Sequence, residues 1–234
     1  MSRLPVAILA GGLATRLGSL TAETPKCLLE VAGRPFIHHQ LDGLRSQGVR
    51  RVILCLGYLS DSVVDAVGDG SDFGLDVVYS FDGPELLGTA GAVKRALVLL
   101  GPAFFVLYGD SYLTCRYAAV QDAFEAAGKL ALMTVFRNES QWDRSNVEYR
   151  DGRIVAYNKK RHTAAMQYID YGLGVWDHRA FETVPETEFC DLAEVASEML
   201  SKGELTGFEV TERFYEIGST SGLAETRKYL AGQF

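Results

Sequence analysis

Short apolar, β-branched runs at residues 5–10, 51–56, 76–80 and 104–108 alternate with longer stretches whose apolar positions recur at helical spacing. The runs read as strands, and 35–47, 60–67 and 90–100 read as helices, the last through Ala92, Val93, Ala96, Leu97 and Leu100. Apolar strands joined by helices bury both faces, so the first half of the chain predicts an α/β architecture with a largely parallel sheet.

Beyond residue 110 the rhythm changes. A helix at 117–127 and a strand at 130–136 are followed by short strands at 147–149 and 154–157, with Asp151-Gly152 as a hairpin turn between them. A strand at 168–176, a helix at 192–202 and a closing helix at 222–230 complete the pattern. No Pro/Gly/Ser-rich linker and no repeat divides the chain, so 1–234 reads as one domain, with the second part elaborating the same sheet.

The 30 acidic residues outnumber the 23 basic ones, giving a net charge of -7, which argues against nucleic acid or an anionic membrane as a partner. An anionic substrate must therefore meet local positive groups. Cys27, Cys55, Cys115 and Cys190 are widely spaced and predict buried reduced thiols rather than a zinc or redox motif. With no leader-like segment and no apolar run long enough to span a membrane, the chain is expected to be cytoplasmic.

The strongest chemical signal follows the first strand. Leu9-Ala10-Gly11-Gly12 leads to Arg16-Leu17 and then Pro25-Lys26. Glycines at the carboxyl end of a strand let backbone N–H groups approach phosphate oxygens, and an arginine and a lysine can neutralise the charge. The spacing matches neither the Walker loop nor G-x-G-x-x-G, which sets aside a P-loop NTPase and a Rossmann dehydrogenase. A second glycine-rich segment, Leu87-Gly88-Thr89-Ala90-Gly91, opens the third helix, where Thr89 alone would read as an N-cap. Asp110 ends an apolar strand, where open parallel sheets place ligands.

These motifs together resemble the sugar-1-phosphate nucleotidylyltransferases: L-A-G-G, then R-L, then P-K, then a V-x-G-x-P stretch supplied by Val31, Gly33 and Pro35. The resemblance implies the Rossmann-like nucleotide-diphospho-sugar transferase fold, with 1–110 binding nucleotide and 111–234 binding sugar phosphate. The substrates would be a nucleoside triphosphate and a sugar 1-phosphate, hexose or heptose, and a homo-oligomer is left open. By resemblance Leu9, Ala10, Gly11, Gly12, Gly88, Thr89 and Gly91 would lie against the nucleotide. Arg16 would hold the departing pyrophosphate, and Lys26 would contact the reacting phosphates. The L-G-T-A-G form is closest to the mannose and heptose guanylyltransferase branch, which favours GTP.

The resemblance also implies Mg²⁺ held by Asp110 and by Glu216, where glutamate stands in place of the family's usual aspartate. On the sugar side it is looser. Tyr157-Asn158-Lys159-Lys160 aligns with a Phe-x-Glu-Lys stretch, assigning Lys160 to the phosphate and leaving Lys159 in the place of a sugar-binding glutamate. Asp170 and Gly172 align with the segment that accepts sugar hydroxyls, and Asn146 lies in a stretch one residue shorter than the family's D-R-Y-G-x-V. His38, His39, Trp142 and Trp176 read as packing residues. Two rivals remain: a uridylyltransferase acting on an amino sugar 1-phosphate such as N-acetylmuramic acid 1-phosphate, and a nucleotide-sensing module without turnover.

Overall fold

The computed structural model describes residues 3–12 and 24–233. In chain order these form β1 (Val6–Leu9), β2 (Glu30–Val31), β3 (Arg34–Pro35), α1 (Phe36–Ser46), β4 (Arg51–Leu56), α2 (Ser60–Val67), β5 (Asp76–Phe81), α3 (Gly88–Leu100) and β6 (Ala103–Tyr108). There follow β7 (Ser111–Tyr112), α4 (Tyr117–Ala127), β8 (Ala131–Arg137), β9 (Val147–Arg150), β10 (Arg153–Tyr157), β11 (Tyr168–Asp177), α5 (Leu192–Ser201), β12 (Leu205–Val210), β13 (Tyr215–Glu216) and α6 (Thr220–Leu230).

The main sheet runs β12-β8-β11-β6-β1-β4-β5, with the β9-β10 hairpin attached at the start of β11. Strands β6, β1, β4 and β5 are mutually parallel, and β11 is antiparallel to both β6 and β8. The predicted mixed, mostly parallel sheet is thus the one observed, and β11 hydrogen-bonds the second half of the chain directly to the first.

Strand periodicity assigns the two faces. Val6, Ile8, Val52, Leu54, Phe105 and Leu107 face one way and pack with residues of α1, α2 and α4, including Leu41, Val63 and Phe124. Their neighbours Ala7, Ile53, Phe104 and Val106 face α3 and α5 through Val93, Ala96, Val195 and Met199. Each fully buried Phe or Leu contributes about 1.5–3 kcal/mol through removal of its apolar surface from water. All four cysteines are free and buried, as expected, and burial pushes the thiols of Cys27, Cys55 and Cys115 up to about 12.

The Asp151-Gly152 turn is as predicted: both residues have positive φ, at 49° and 76°, and Arg150 pairs with Arg153 across it. Strand β12 was not foreseen, because Leu205–Val210 has a glycine in its middle and no strict alternation. Packing explains that glycine. A Cβ on Gly207 would stand 2.5 Å from the Tyr149 ring and 3.0 Å from Ile154 Cγ1. Gly207→Ala is therefore expected to lower the unfolding free energy by about 1–3 kcal/mol through overpacking. Adding Tyr149→Ala should then cost less than it does alone, a non-additivity measurable by denaturant titration of the two single variants and the double variant.

Candidate active site

At the carboxyl ends of β1, β4 and β6 the chain encloses a cavity of about 350 Å³. Leu9, Ala10, Gly11, Gly12, Gly88 and Thr89 all line it, as do Lys26 and Asp110. The segments leaving the parallel neighbours β1 and β4 approach closely at its floor, where a Cβ on Gly11 would lie 2.8 Å from the Gly57 nitrogen. Arg16 lies outside the described residues.

Lys26 Nζ donates to Asp110 Oδ2 at 2.9 Å, with the two side chains 18% and 28% exposed. Two residue pairs bring Glu216 beside them: β13 runs antiparallel to β7, Glu216 opposite Ser111, and the Ile217 N–H donates to the Asp110 carbonyl at 2.9 Å. The three side chains meet at Gly218. A Cβ there would stand 2.9 Å from Glu216 Oε2, 3.1 Å from Asp110 Oδ2 and 3.5 Å from Lys26 Nζ.

The two carboxylates are differently committed. Glu216 Oε2 accepts the N–H groups of Gly218 and Ser219, and Oε1 accepts the Ser219 hydroxyl, so this carboxylate already organises the turn into α6. Among the described residues, Asp110 Oδ1 has only a long contact with Ser111 Oγ, at 3.5 Å. Among the described residues no three His, Cys, Asp or Glu side chains cluster as a metal cage. Two carboxylates beside a phosphate-sized opening nevertheless match the donor set of Mg²⁺, which takes one or two carboxylates with phosphate and water completing its shell.

The Leu87–Gly91 segment is built differently from the expectation. Thr89 is not an N-cap: it is the second residue of α3, and its Oγ1 accepts the Leu192 N–H at 2.7 Å, at the start of α5. The orphan N–H groups of α3 are met instead by the Cys190 carbonyl, which accepts from Ala90 at 2.9 Å and Gly91 at 3.4 Å. Gly91 therefore supports the wall without lining the cavity. Gly88 is required twice over, because its φ is +74° and a Cβ would lie 2.5 Å from the Cys190 oxygen. This docking sets Phe189, 69% exposed, at the cavity wall.

Asp170 and Gly172, assigned by resemblance to the sugar, line a small neighbouring cleft together with Tyr108 and Tyr157. Between Asp170 and Gly174 the pairing of β11 with β8 slips, and Gly172 takes φ +94° within that irregularity. Asp170 accepts the Gly172 N–H at 3.0 Å and the Tyr157 hydroxyl at 3.4 Å, while Asn146 Oδ1 accepts the Asp170 N–H at 2.9 Å. Burial pushes the Asp170 carboxyl up, and Lys159 partly offsets this. Lys160 is exposed, and its backbone N–H donates to Asn158 Oδ1 at 2.9 Å.

Lys159, by contrast, reaches inward, its Nζ 3.4 Å from both Tyr108 OH and Asp191 Oδ1. Burial opposes the Lys159 charge, but Tyr108, Asp170 and Asp191 hold the ammonium above its ordinary pKa. Sequence reasoning missed four residues on the cavity wall, Asp82, Tyr108, Phe189 and Asp191. Tyr108 ends a predicted strand and Asp82 follows another by two residues, and that position was the available signal.

The layered sheet with its ligand-sized opening at the strand ends defines an open-sheet α/β protein, a class that binds its ligands there. The chain belongs to the family described as Nucleotidyl transferase, which it matches over residues 6–231. It is 39% identical over 124 residues to N-acetylmuramate alpha-1-phosphate uridylyltransferase of Neisseria meningitidis, covering 53% of this chain and 52% of that protein. It is 29% identical over 216 residues to mannose-1-phosphate guanylyltransferase catalytic subunit beta of Drosophila pseudoobscura pseudoobscura, covering 90% of this chain and 58% of the relative. The chain thus spans little more than half the length of these relatives. Among solved structures, HddC from Yersinia pseudotuberculosis complexed with GMP-PN superposes with a TM-score of 0.81 at 25% identity, over 97% of this chain and 99% of that one.

Thr89→Val removes the acceptor of the Leu192 N–H. It should cost about 1–3 kcal/mol in stability and accelerate amide hydrogen exchange at Leu192 more than at residues of the central strands.

Proposed function

We propose that this chain transfers a nucleoside monophosphate, guanylyl in preference, from a nucleoside triphosphate to a sugar 1-phosphate, releasing pyrophosphate. The observation that carries this reading is the meeting of Lys26, Asp110 and Glu216 at Gly218, beside a cavity wide enough for a nucleotide. The guanine preference is supported by the Leu87–Gly91 sequence and by the GMP-PN bound to the neighbour from Yersinia pseudotuberculosis. The substrates are a hexose or heptose 1-phosphate and GTP, with 1–110 serving the nucleotide and 111–234 the sugar within one catalytic domain.

An oxygen of the sugar phosphate attacks the α-phosphorus in line, forming the new P–O bond as the bond to pyrophosphate breaks. The protein has no covalent step to perform, so catalysis rests on orientation and charge neutralisation. Backbone N–H groups of the Gly11-Gly12 turn and Lys26 hold the triphosphate, with Arg16 on the departing pyrophosphate. Asp110, with Glu216 beside it, would hold Mg²⁺, which when bound supplies charge stabilisation to the phosphate oxygens. Asp170 orients a sugar hydroxyl, itself positioned by Asn146 and Gly172.

A second reading, uridylyl transfer to an amino sugar 1-phosphate, is favoured by the 39% identity to the enzyme from Neisseria meningitidis. Pyrophosphate release measured across all nucleoside triphosphates with a panel of hexose, heptose and amino sugar 1-phosphates separates the two. A chain that binds nucleotide and releases no pyrophosphate with any of them would be a sensor instead.

Lys26→Ala should cut turnover by about 100- to 1,000-fold with the fold intact, the scale of losing one donor to developing charge. Near-wild-type rates would remove Lys26 from the mechanism. Asp110→Asn should weaken magnesium-dependent turnover severely with little change in thermal stability. Glu216→Gln, which withdraws charge from the turn into α6, should lower stability by about 1 kcal/mol as well as raise the magnesium requirement. An unchanged requirement in Glu216→Gln leaves Asp110 as the single protein ligand.

A further inference from the structure

The cleft beside the main cavity is balanced in charge, with Lys159 set against Asp170 and Asp191. Its rim is not. Two segments flank it: 143–146, whose Asn146 Oδ1 accepts the Asp170 N–H, and 158–162, which continues from Tyr157. They are tied to each other, because the Asn158 N–H donates to the Asn146 carbonyl at 3.0 Å and the His162 ring Nδ1 lies 2.8 Å from the Ser145 carbonyl. Together they carry Arg144, Lys160 and Arg161, all exposed, and Asp143 is the single acid on either segment. Lys160 lines neither the cavity nor the cleft and stands on this rim with Arg161. Among the described residues none of the three cations enters an ion pair.

The support under these cations is elaborate for an exposed loop. Asn138 and Ser145 are polar and fully buried. The Asn138 amide donates to the Asp143 carbonyl at 2.6 Å and to Ser145 Oγ at 3.2 Å, and Ser145 Oγ accepts the Ser140 N–H at 3.0 Å. Glu139 and Ser140 take left-handed φ of 48° and 58°, a conformation that persists only where the surroundings hold it. Trp142 anchors the same loop, its ring centroid 5.6 Å from Phe136 and 6.2 Å from Phe214, with the Arg213 guanidinium 4.4 Å from the ring. On the second segment Asn158 Oδ1 accepts the N–H groups of Lys160 at 2.9 Å and Arg161 at 2.8 Å. A plain link between β8 and β9 needs no buried polar network. This one fixes the backbone at Arg144 and at Lys160-Arg161 relative to Asp170.

The rest of the chain has the opposite field. Seven acidic residues and no Lys or Arg lie between Arg51 and Lys94, so the β5 end of the sheet repels anions. The β9-β10 hairpin and its rim stand at the other end of the strand order.

We propose that this rim binds a second anionic group, a carboxylate or a phosphate, carried by the acceptor sugar away from its anomeric phosphate. The inference rests on the sugar 1-phosphate reading above and narrows the class of sugar. A neutral sugar presents hydroxyl groups, and Asp170 and Lys159 already offer an acceptor and a donor for those inside the cleft. Guanidinium groups are matched to a different target, since their planar forks fit the paired oxygens of carboxylate and phosphate. Unpaired cations at the edge of a balanced cleft extend its recognition to an anion.

Pyrophosphate release with matched acceptors tests this: glucose 1-phosphate against glucuronic acid 1-phosphate and glucose 1,6-bisphosphate, and mannose 1-phosphate against mannose 1,6-bisphosphate. Wild-type protein should show a kcat/KM about 5- to 30-fold higher for the doubly anionic member of a pair at low salt, the scale of two or three exposed charge contacts. The ratio should collapse at about 1 M salt, where the screening length is about 3 Å. Comparison of the carboxylate and phosphate arms identifies which anion the rim takes. Arg144→Gln combined with Arg161→Gln should abolish the ratio and leave kcat/KM for the neutral sugar 1-phosphate and KM for the nucleoside triphosphate unchanged. Equal kcat/KM for both members of every pair overturns the proposal without recourse to a variant, and so does a ratio that survives the double substitution. A double variant that loses activity on neutral and anionic acceptors alike also overturns it, making the rim a general attractor for phosphates. Absence of pyrophosphate release with these acceptors and with the panel above overturns the transferase reading itself.

Discussion

Like charges held together in a partly desolvated cleft must be compensated, and the cleft around Gly218 is organised by that requirement. Two carboxylates, from Asp110 and Glu216, come to the same point, and the Lys26 ammonium pairs with Asp110 at the cavity wall. The surrounding architecture supplies what the arrangement needs. The β7-β13 ladder fixes the approach, the α6 entry turn donates N–H groups to Glu216, and the missing side chain at position 218 leaves the groups room to meet. Compensation is uneven, since Glu216 is already satisfied by the turn while Asp110 keeps one oxygen nearly free. Functional sites tolerate such incomplete satisfaction because a substrate or ion completes it.

The sheet was legible in the sequence because its signal is one of burial. Runs such as Arg51–Leu56 and Ala103–Tyr108 are apolar on both faces, and α3 repeats its small apolar residues on a helical period. The Asp151-Gly152 turn was legible because few residue pairs tolerate two successive positive φ angles. What escaped were features settled by distant partners. β12 is a strand because β8 offers it an edge, and Gly207 is there to clear the Tyr149 ring, neither of which the local sequence records. Thr89 carries the chemistry of an N-cap, although the resemblance assigned it to the nucleotide. Its hydroxyl serves a different helix because the 189–192 segment folds back across α3.

The candidate site divides along the same line. Lys26, Asp110 and the Gly11-Gly12 turn follow strands or carry strong motifs, and they line one cavity. The neighbouring cleft was read less well because its groups hold each other. Lys159 is oriented by Tyr108 and Asp191, which come from elements far away in sequence. Standing where the resemblance expects a glutamate, it is no free cation, since Asp191 and Asp170 share its field. A cleft with this balance offers acceptors to hydroxyl groups from Asp170 and a donor from Lys159.

Cys27 and Cys55 stand at the wall of the cavity, yet burial holds both thiols at a pKa of about 12. Both are therefore protonated at neutral pH, and the thiolate is the species that reacts. Alkylating reagents therefore meet an inert wall so long as the β1-β4 region stays closed, and they react at ordinary rates once it opens. The chain carries its own stopwatch for breathing of the cleft: the labelling rate of these two thiols reports how often the floor of the cavity comes apart, with no probe attached and no turnover needed.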